Sequence, residues 1–280
     1  MNDITHIIEG MGEVGSTLFE LLKKDEKLNL LGNDIDHAKI KSRSKIETHR
    51  LLKEGCDVLH ICFPYSVNFE KDVLFLTEKY HAKETVIHST VPPGTTQKIQ
   101  KAVWKRDYAR TEKARLDQLI VYSPVRGVHS RMLLDFKRYT KFWSCVQSPN
   151  TTKREPVLYL GQLSKYGVKT KMMSNPTVLE LAKIYVDTSY YGWLILYAQH
   201  TKEVTDQYHV DWNEMWQFSD EIEAFLNNRP KMFYGEGIGG HCVLQNLELI
   251  ADEFLDMVFA HDKHYRRQAE TSSKLEKKIV

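Results

Sequence analysis

Short apolar runs alternate with longer polar stretches along the N-terminal part of the chain. The runs have the length and composition of buried strands, and they are Ile4–Ile8, Leu28–Asn33, Asp57–Phe63, Thr85–Ser89, Leu119–Ser123 and Phe142–Val146. The stretches between most of them, such as Ser66–Lys79 and Thr95–Lys105, are polar and long enough for helices. Because strands that alternate with helices form mostly parallel sheets, the pattern predicts an α/β fold with a Rossmann-type, doubly wound, mostly parallel sheet.

The pattern becomes helical from about Ser174. One long helical pattern runs from Pro176 to Tyr208, a second from Asp211 to Asn227 and a third from about Leu247 to His261, with the glycine-rich loop Gly235–Gly240 before the third. We therefore expect an NAD-binding Rossmann domain over 1–173, a helical central and dimerisation domain with the catalytic loop over 174–262, and a charged tail over 263–280. The tail is expected to be a solvated, frayed helix, with binding to an anionic partner as the alternative.

The first apolar run leads into a glycine-rich turn, which is followed by a helical pattern. This glycine turn comprises Gly10, Met11, Gly12, Glu13, Val14 and Gly15. In a dinucleotide-binding turn with this spacing, Gly10 makes the tight turn, Gly12 lets the backbone approach a pyrophosphate, and Gly15 lets the helix pack closely on the strand. Strand, glycines, helix, second strand and an acid follow in the order that this fold requires, whereas an ordinary glycine-rich turn is the simpler alternative.

The acid is Asp34, at the end of the second apolar run, where a carboxylate accepts hydrogen bonds from a ribose 2′-hydroxyl. No arginine stands beside it to receive a 2′-phosphate, so the sequence favours NAD over NADP. Ligands of doubly wound sheets lie at the carboxyl ends of the strands, and Pro64, Ser89 and Thr90 lie at or directly after such ends. We therefore predict NAD as the cofactor, bound by the glycine turn, Asp34 and these three residues.

Composition narrows the classes of function. The 280 residues include 39 Lys and Arg against 37 Asp and Glu, so the overall charge favours neither a nucleic-acid nor a membrane-surface partner. No apolar run approaches the roughly 20 residues of a membrane helix, and the first residues do not resemble a signal peptide. The four cysteines lack CxxC spacing, which argues against a metal site or a disulfide framework. We expect a cytoplasmic protein that acts on a small molecule and holds no metal.

Three segments at predicted strand or loop ends carry reactive residues. They are the hydroxyl-rich turn STVPPGT from Ser89, the helical segment ELAK from Glu180 and the loop GIGGHC from Gly237. With the glycine turn, they resemble in order and spacing the UDP-glucose/GDP-mannose 6-dehydrogenase family, from Ile4 to about Ile250. The resemblance implies an NAD enzyme that oxidises the alcohol of a sugar nucleotide to a carboxylate.

The resemblance also implies roles for individual residues. Cys242 matches the cysteine that attacks the intermediate aldehyde, Lys183 matches the lysine that stabilises developing oxyanion charge, and Thr90 matches a threonine that orders a catalytic water. In this chemistry a thiolate adds to the aldehyde, a second hydride leaves, and water hydrolyses the thioester. A small core cysteine in a packed loop is the alternative for Cys242. We expect the loop residues Gly239, Gly240 and His241 to contact the substrate.

Several positions depart from the family's pattern. Asp187 stands where the family usually has an asparagine that donates to the oxyanion, and Asn246 stands where it has an aspartate. Val125 replaces a glutamate implicated in hydrolysis, and the sequence has no counterpart of the family's third, nucleotide-binding domain. We therefore expect a shortened relative with an intact cofactor half and an altered catalytic centre that includes Asp187 and Asn246.

Two groups of charged residues allow a simpler interpretation as well. Arg126 and Arg131 belong to a basic stretch after the fifth apolar run, which could hold a substrate phosphate or carboxylate or could serve as surface charge. Glu180, Lys183 and Asp187 fall on one face of an ideal helix, where Lys183 and Asp187 would by themselves be an ordinary exposed ion pair.

Three functions remain open on this basis. The first is an NAD-dependent oxidoreductase that oxidises a hydroxyl of a sugar nucleotide or a small anionic alcohol through Cys242 and Lys183. The second is a two-electron hydroxyacid dehydrogenase that uses Lys183 without the cysteine, and the third is an NAD-binding protein without catalysis. We also expect a homodimer built on the helix from Pro176 to Tyr208, with apolar contacts from Trp193, Leu194, Leu196 and Tyr197.

Overall fold

The computed structural model describes residues 4–43, 55–111, 118–127, 131–147, 154–235, 237–238 and 241–279. Its contacts divide the chain into two compact units, Met1–Leu181 and Ala182–Val280. The division falls after residue 181 rather than after residue 173, because the helix Pro176–Leu181 packs on the sheet of the first unit. The boundary expected at residue 262 lies inside the helix Glu253–Ile279.

The first unit is an eight-stranded sheet with helices on both faces. Its strands are β1 (Ile4–Glu9), β2 (Leu28–Asn33), β3 (Lys41–Arg43), β4 (Val58–Ile61), β5 (Glu84–Ile87), β6 (Leu119–Tyr122), β7 (Lys141–Cys145) and β8 (Thr170–Met172). Its helices are α1 (Glu13–Leu22), α2 (Phe69–Lys79), α3 (Thr95–Thr111), α4 (Met132–Arg138), α5 (Val157–Lys165) and α6 (Pro176–Leu181), with a 3₁₀ turn at His37–Lys39.

The strand order is β3-β2-β1-β4-β5-β6-β7-β8. The five strands β2, β1, β4, β5 and β6 are parallel, β8 is parallel to β7, and β3 and β7 run antiparallel to β2 and β6. All six apolar runs are strands, and the prediction of a doubly wound, mostly parallel sheet is confirmed. β3 and β8 were not predicted, because each has only three residues and lacks an apolar run. The order reverses between β1 and β4, which is where such sheets bind ligands.

Successive residues of the central strands point into two separate apolar layers. Ile8 of β1 and Val86 of β5 belong to one layer, which also contains residues of α1, α4 and α5. Ile7 and Ile87 belong to the other layer, with residues of α2 and α3. Because both faces of the sheet are covered, its carboxyl edge is the place left for a ligand.

The second unit is helical in its described part. It contains a π-helical segment (Ala182–Ser189) and the helices α7 (Tyr190–Gln207), α8 (Trp212–Leu226), α9 (His241–Leu247) and α10 (Glu253–Ile279). The core is formed by Ile184, Ile195, Ile238, Val243, Leu247, Leu255 and Val258. Gly192 lets α7 approach its neighbours, because a Cβ at this position would lie 3.2 Å from Cγ1 of both Val243 and Val258.

Two helix predictions are corrected here. The pattern from Pro176 to Tyr208 is helical throughout, but its hydrogen bonding is π-helical over Ala182–Ser189. The single helix predicted from Leu247 to His261 is instead the end of α9 and the start of α10. The Asp252 carboxylate accepts hydrogen bonds from the backbone N–H groups of Phe254 (2.9 Å) and Leu255 (3.2 Å) and so caps a new helix.

Helix α10 runs on to Ile279, through the region predicted as a charged tail. Among the described residues, none of the helices combines the length and the apolar character needed to cross a bilayer.

Candidate cofactor and catalytic sites

The structure accounts for each glycine of the glycine turn. Gly10 has a φ of +93°, and a Cβ there would lie 2.7 Å from the amide nitrogen of Phe63. A Cβ on Gly15 would lie 1.8 Å from the carbonyl oxygen of Gly10, so only glycine allows this close approach. A Cβ on Gly12 would meet nothing within 4 Å. The backbone at Gly12 is therefore open to a ligand, whereas Gly10 and Gly15 are required by the packing of the protein itself.

Helix α1 begins at Glu13, and no side chain caps it at Gly12. The first N–H groups of a helix carry partial positive charge and attract anions such as a pyrophosphate. The hydroxyl of Ser16 donates to the Met11 carbonyl oxygen at 2.8 Å and fixes the turn, and Val14 packs against the first apolar layer. The exposed Glu13 brings a carboxylate to the same helix end, where it opposes a phosphate.

Asp34 is fixed to the glycine turn by a backbone hydrogen bond. Its Oδ2 accepts from the Met11 N–H at 2.6 Å, and its Oδ1 accepts from the Asp36 N–H at 2.9 Å. Desolvation raises the pKa of the Asp34 carboxyl, but these two hydrogen bonds outweigh it and hold the pKa below its usual value. Asp34 is therefore ionised at neutral pH and held beside the turn. The next carboxylate, Asp36, adds negative charge, which disfavours a 2′-phosphate nearby.

The loops after β4 and β5 meet at the same edge of the sheet. The hydroxyl of Ser89 donates to the carbonyl oxygen of Phe63 at 2.5 Å, directly before Pro64. Phe63 is also the residue that a Cβ on Gly10 would touch. The structure thus brings the glycine turn, Pro64 and Ser89 together, with the half-buried Thr90 next in the chain.

Glu180 has a different position from the one that its helical spacing predicts. It is fully buried, and its Oε1 accepts from the N–H (2.9 Å) and the hydroxyl (2.7 Å) of Thr96. Its Oε2 accepts from the Gly94 N–H at 2.6 Å. Burial raises the pKa of Glu180, while the hydrogen bonds from Thr96 and Gly94 oppose that rise. Glu180 therefore fixes the STVPPGT turn at the start of α3 and does not share an exposed face with Lys183.

Three buried histidines form a row across the central strands, a feature that the sequence analysis missed. His6 Nδ1 lies 2.9 Å from His60 Nε2, and His60 Nδ1 lies 3.0 Å from His88 Nε2. His88 Nδ1 lies 3.1 Å from the Ser123 carbonyl oxygen, which only accepts, so His88 donates from Nδ1. In a neutral ring the other nitrogen accepts, so His60 donates from Nδ1 to His88, and His6 donates from Nδ1 to His60. Burial lowers the pKa of His6 to about 4 and the pKa values of His60 and His88 well below their usual value. The three histidines are therefore neutral. In the sequence, the feature that could have predicted this row is a histidine at an inward-facing position in each of three apolar runs.

The two arginines predicted to hold a substrate anion have partners within the protein. Arg126 donates from Nη2 to the Thr140 carbonyl oxygen at 2.8 Å and lies over the ring of Phe142. Arg131 donates from Nε to the buried carboxylate of Asp135 at 3.0 Å. A cavity of about 10 Å³ beside Arg126 has room for a water molecule but not for a sugar. These contacts leave the anion-binding role of both arginines a prediction.

Lys183 and Asp187 form an ion pair in the π-helical segment. Lys183 Nζ donates to Asp187 Oδ2 at 2.5 Å, and the two side chains are 13% and 36% exposed. Lys183 is thus more buried than the lysine of an ordinary surface ion pair. An ammonium has three N–H donors, so the pair leaves two of them for another acceptor.

The π-helical segment also brings Asn246 towards Lys183. In this segment Thr188 lies five residues after Lys183 and donates from its hydroxyl to the Lys183 carbonyl oxygen at 3.0 Å. Asn246 on α9 donates to the Thr188 hydroxyl oxygen at 3.5 Å. Helix α9 packs against the π-helical segment, and Cys242 lies in its first turn. The side chains of Cys242 and His241 lie outside the described residues, as do Gly239 and Gly240.

Within the described ranges, no three His, Cys, Asp or Glu side chains are arranged to hold a metal ion. The other three cysteines are free thiols. Burial raises the pKa of Cys62 to about 12 and of Cys145 to about 11, and it also raises the pKa of Cys56. These three thiols are therefore protonated at neutral pH.

No family model matches the sequence, and no curated protein matches it. Solved structures do match. UDP-D-ManNAc dehydrogenase from Pyrococcus horikoshii is 17% identical, with a TM-score of 0.75 over 99% of this chain and 73% of that protein. The UDP-N-acetyl-mannosamine dehydrogenase Cap5O from S. aureus is 15% identical, with a TM-score of 0.70 over 99% of this chain and 72% of that protein. A conserved protein of unknown function, MTH1747, which has structural similarity with 3-hydroxyacid dehydrogenases, is 11% identical, with a TM-score of 0.62 over 96% of this chain and 98% of that protein.

At these identities the likeness is one of fold. At that level it confirms the resemblance carried by the glycine turn, the STVPPGT turn and the GGHC loop. The chain has the fold of UDP-sugar and GDP-mannose dehydrogenases.

Proposed function

We propose that the protein is an NAD-dependent oxidoreductase that acts on a CH–OH group. The observation that carries this proposal is the glycine turn, with open backbone at Gly12 and the ionised carboxylate of Asp34 fixed beside it. These residues fit the pyrophosphate and the adenosine ribose of NAD at the switch point of the sheet. Bound NAD would accept a hydride from the carbon that bears the hydroxyl.

The finer proposal is that the substrate is a sugar nucleotide or a small anionic alcohol that is oxidised twice. Lys183 would donate a hydrogen bond to the substrate oxygen as negative charge develops on it. The Cys242 thiolate would add to the carbon of the first product, an aldehyde, and that carbon would then give the second hydride to a second NAD that has replaced the NADH of the first step. Water, held by Thr90, would then hydrolyse the thioester and release the acid and the free thiol.

A two-electron hydroxyacid dehydrogenase is the second candidate. The pairing of Lys183 with Asp187 favours it, because a lysine and a carboxylate in contact can exchange a proton with a substrate hydroxyl without any nucleophile. The fold likeness to MTH1747 is compatible with this candidate. In this reaction one hydride passes to NAD, the product is an oxo acid with an aldehyde or ketone group, and Cys242 has no covalent role.

The number of NADH molecules formed per substrate molecule distinguishes the two reactions. It is measured with a panel of UDP-sugars and hydroxy acids, each at limiting concentration. Two NADH per substrate support the cysteine route, and one supports the simple dehydrogenase. If NAD binds by calorimetry but no substrate in either class is oxidised, the protein is an NAD-binding protein without this activity.

We further propose that two copies pair through the long helix. Of the residues expected at the interface, Trp193 stacks on Phe254 within its own unit (ring centroids 4.4 Å apart), and Leu196 packs against the same core. Tyr197 is exposed, as are Tyr190 and Val186, about two and three turns earlier on the helix. Light scattering should give the mass of a dimer at micromolar concentration, and Tyr197→Lys should shift it towards monomer.

A further inference from the structure

Two charged side chains of α10 lie against the loop that precedes Cys242. Gly237 has a φ of +105°. A Cβ at this position would lie 2.8 Å from Cζ of Arg266 and 2.9 Å from Oδ1 of Asp262. Only glycine combines this backbone conformation with room for both side chains.

The same two side chains bind both backbone polar groups of Ile238. The Ile238 N–H donates to Oδ1 of Asp262 at 2.6 Å, and the Ile238 carbonyl oxygen accepts from Nη2 of Arg266 at 2.8 Å. Arg266 Nε donates to Oδ2 of Asp262 at 2.7 Å and closes a ring of three hydrogen bonds. Asp262 is buried (3% exposed), whereas the Arg266 side chain is 44% exposed, so the ring joins a buried carboxylate to a partly exposed guanidinium. We call this arrangement the Asp262–Arg266 clamp.

The clamp and the apolar core both hold Ile238 in place. The side chain of Ile238 is buried in the core of the second unit, which also contains Ile184, next to Lys183, and Val243, next to Cys242. The two residues that follow Ile238 are glycines, and glycine restricts the backbone least of all residues. Ile238 on one side of these two residues and α9 on the other are described, and the clamp holds the first of them.

We propose that Asp262 and Arg266 are positioning residues that orient the loop carrying Cys242. This inference rests on the proposed function, since it assigns the clamp a purpose only if Cys242 acts on substrate. A nucleophile must be held within a fraction of an ångström of its productive position, and a loop achieves this only with rigid support. The clamp supplies that support from a helix outside the reacting groups.

The first test measures the reactivity of Cys242 rather than catalysis. Arg266→Lys keeps the charge but loses the planar fork that binds Asp262 and Ile238 at once. The rate of alkylation of Cys242 by iodoacetamide, followed by peptide mass spectrometry, should change by about tenfold, the equivalent of one lost hydrogen bond. Cys56, Cys62 and Cys145, with raised pKa values, should stay slow and serve as internal controls.

The matched control is another acid–base pair with the same i,i+4 spacing. Lys202 and Asp206 form an exposed ion pair on α7 and make none of the hydrogen bonds of the clamp. Asp206→Asn should leave the alkylation rate of Cys242 within about twofold of wild type. A clamp variant and a control variant that behave alike would overturn the proposal.

The second test separates positioning from a general effect on folding. In the wild-type protein, hydrogen exchange should show a protected Ile238 amide, and Asp262→Asn should speed its exchange by about tenfold. With substrate, Arg266→Lys should lower kcat on the order of 10²-fold and leave the KM for NAD unchanged. An unprotected Ile238 amide in the wild type, or equal losses of NAD binding and kcat, would refute the clamp.

The two proposals can fail separately. If Cys242→Ser keeps full activity while Arg266→Lys still alters the alkylation rate, the proposed nucleophile is wrong and the orientation of the loop stands. If Cys242→Ser abolishes the second hydride transfer while clamp variants leave both alkylation and kcat unchanged, the positioning role is wrong and the proposed function stands.

Discussion

The two units hold their key charged residues in different ways. In the first unit, Asp34 and Glu180 accept hydrogen bonds from backbone N–H groups, which any sequence supplies once the fold has formed. In the second unit, Lys183 is paired with the side chain of Asp187, and Arg266 with the side chain of Asp262. A backbone N–H donor remains after most substitutions of its residue, whereas a side-chain partner is lost when its own residue is substituted. We therefore expect the proposed cofactor site to tolerate substitution better than the proposed catalytic site.

The largest expected effect concerns the second unit. Lys183→Ala should lower kcat by about 10²–10³-fold, the cost of removing one oxyanion donor, while NAD binding measured by calorimetry stays unchanged. Lys202→Ala, which removes a surface lysine from an exposed pair on α7, is the control and should have little effect. If Lys183→Ala retained wild-type kcat, the catalytic assignment of the second unit would be wrong.

Acid should unfold the first unit through its row of histidines. Because the folded-state pKa of His6 is lowered from 6.5 to about 4, the unfolded chain binds more protons below pH 6.5. The stabilisation is complete above pH 6.5 and is lost as the pH falls to about 4, and His6 alone accounts for about 3 kcal/mol. His60 and His88 act in the same direction. Urea unfolding at pH 7.5 and pH 5.0 should show the loss, and equal stabilities at the two pH values would contradict a neutral row.

Reversing the charge at Asp34 tests the cofactor site directly. Asp34→Arg removes the acceptor that is fixed by Met11 and should weaken NAD binding by about 10–100-fold, the worth of hydrogen bonds to a charged group. Binding of NADP should weaken less, because a guanidinium can receive its 2′-phosphate. Calorimetry with both cofactors gives the ratio, and an unchanged NAD affinity would remove the basis of the assignment.

Asp187→Asn distinguishes the two candidate reactions. The amide removes a negative charge next to the developing oxyanion and can donate to it, so kcat should rise by about 3–10-fold in the cysteine route. A fall in kcat would instead identify the carboxylate as a working base and favour the one-step dehydrogenase. The pH profile of kcat, measured for both proteins, shows which group the change removed.

The smallest effect is expected at the open end of α1. Glu13→Gln removes the carboxylate that opposes the pyrophosphate and should tighten NAD binding by about two- to fivefold at low salt. The gain should shrink as salt screens the charge. Glu20→Gln on the same helix, more than one turn away, is the control. A gain that does not depend on salt would show that Glu13 acts by another route.

Local patterns in the sequence predicted most of the fold. The six apolar runs are strands, and the order of strand, glycines, helix and acid matches the structure around Asp34. β3 and β8 were not predicted, because each has only three residues, mostly polar, at a sheet edge and therefore carries no periodic pattern. The split between α9 and α10 could have been found, since Asp252 stands in front of Glu253 as a capping residue.

The spacing of residues along the helix could not predict where the Glu180 side chain points. An ideal α-helix places Glu180, Lys183 and Asp187 on one face, but Glu180 is buried against the STVPPGT turn more than eighty residues away in sequence. The π-helical segment that begins at Ala182 then changes the turn angle after it. Both effects depend on what lies opposite the helix, which the residues of the helix do not encode.

By itself, the sequence determined most of the helices and strands and the glycine turn, because hydrophobic periodicity and glycine spacing act between residues close in the chain. Only the tertiary structure decided the partners of the buried polar groups: the row of His6, His60 and His88, the clamp on Ile238 and the capping of α3 by Glu180. A buried polar group must find a hydrogen-bond partner wherever the topology offers one. That partner is set by which distant elements become neighbours, so it is fixed only when the whole chain has folded.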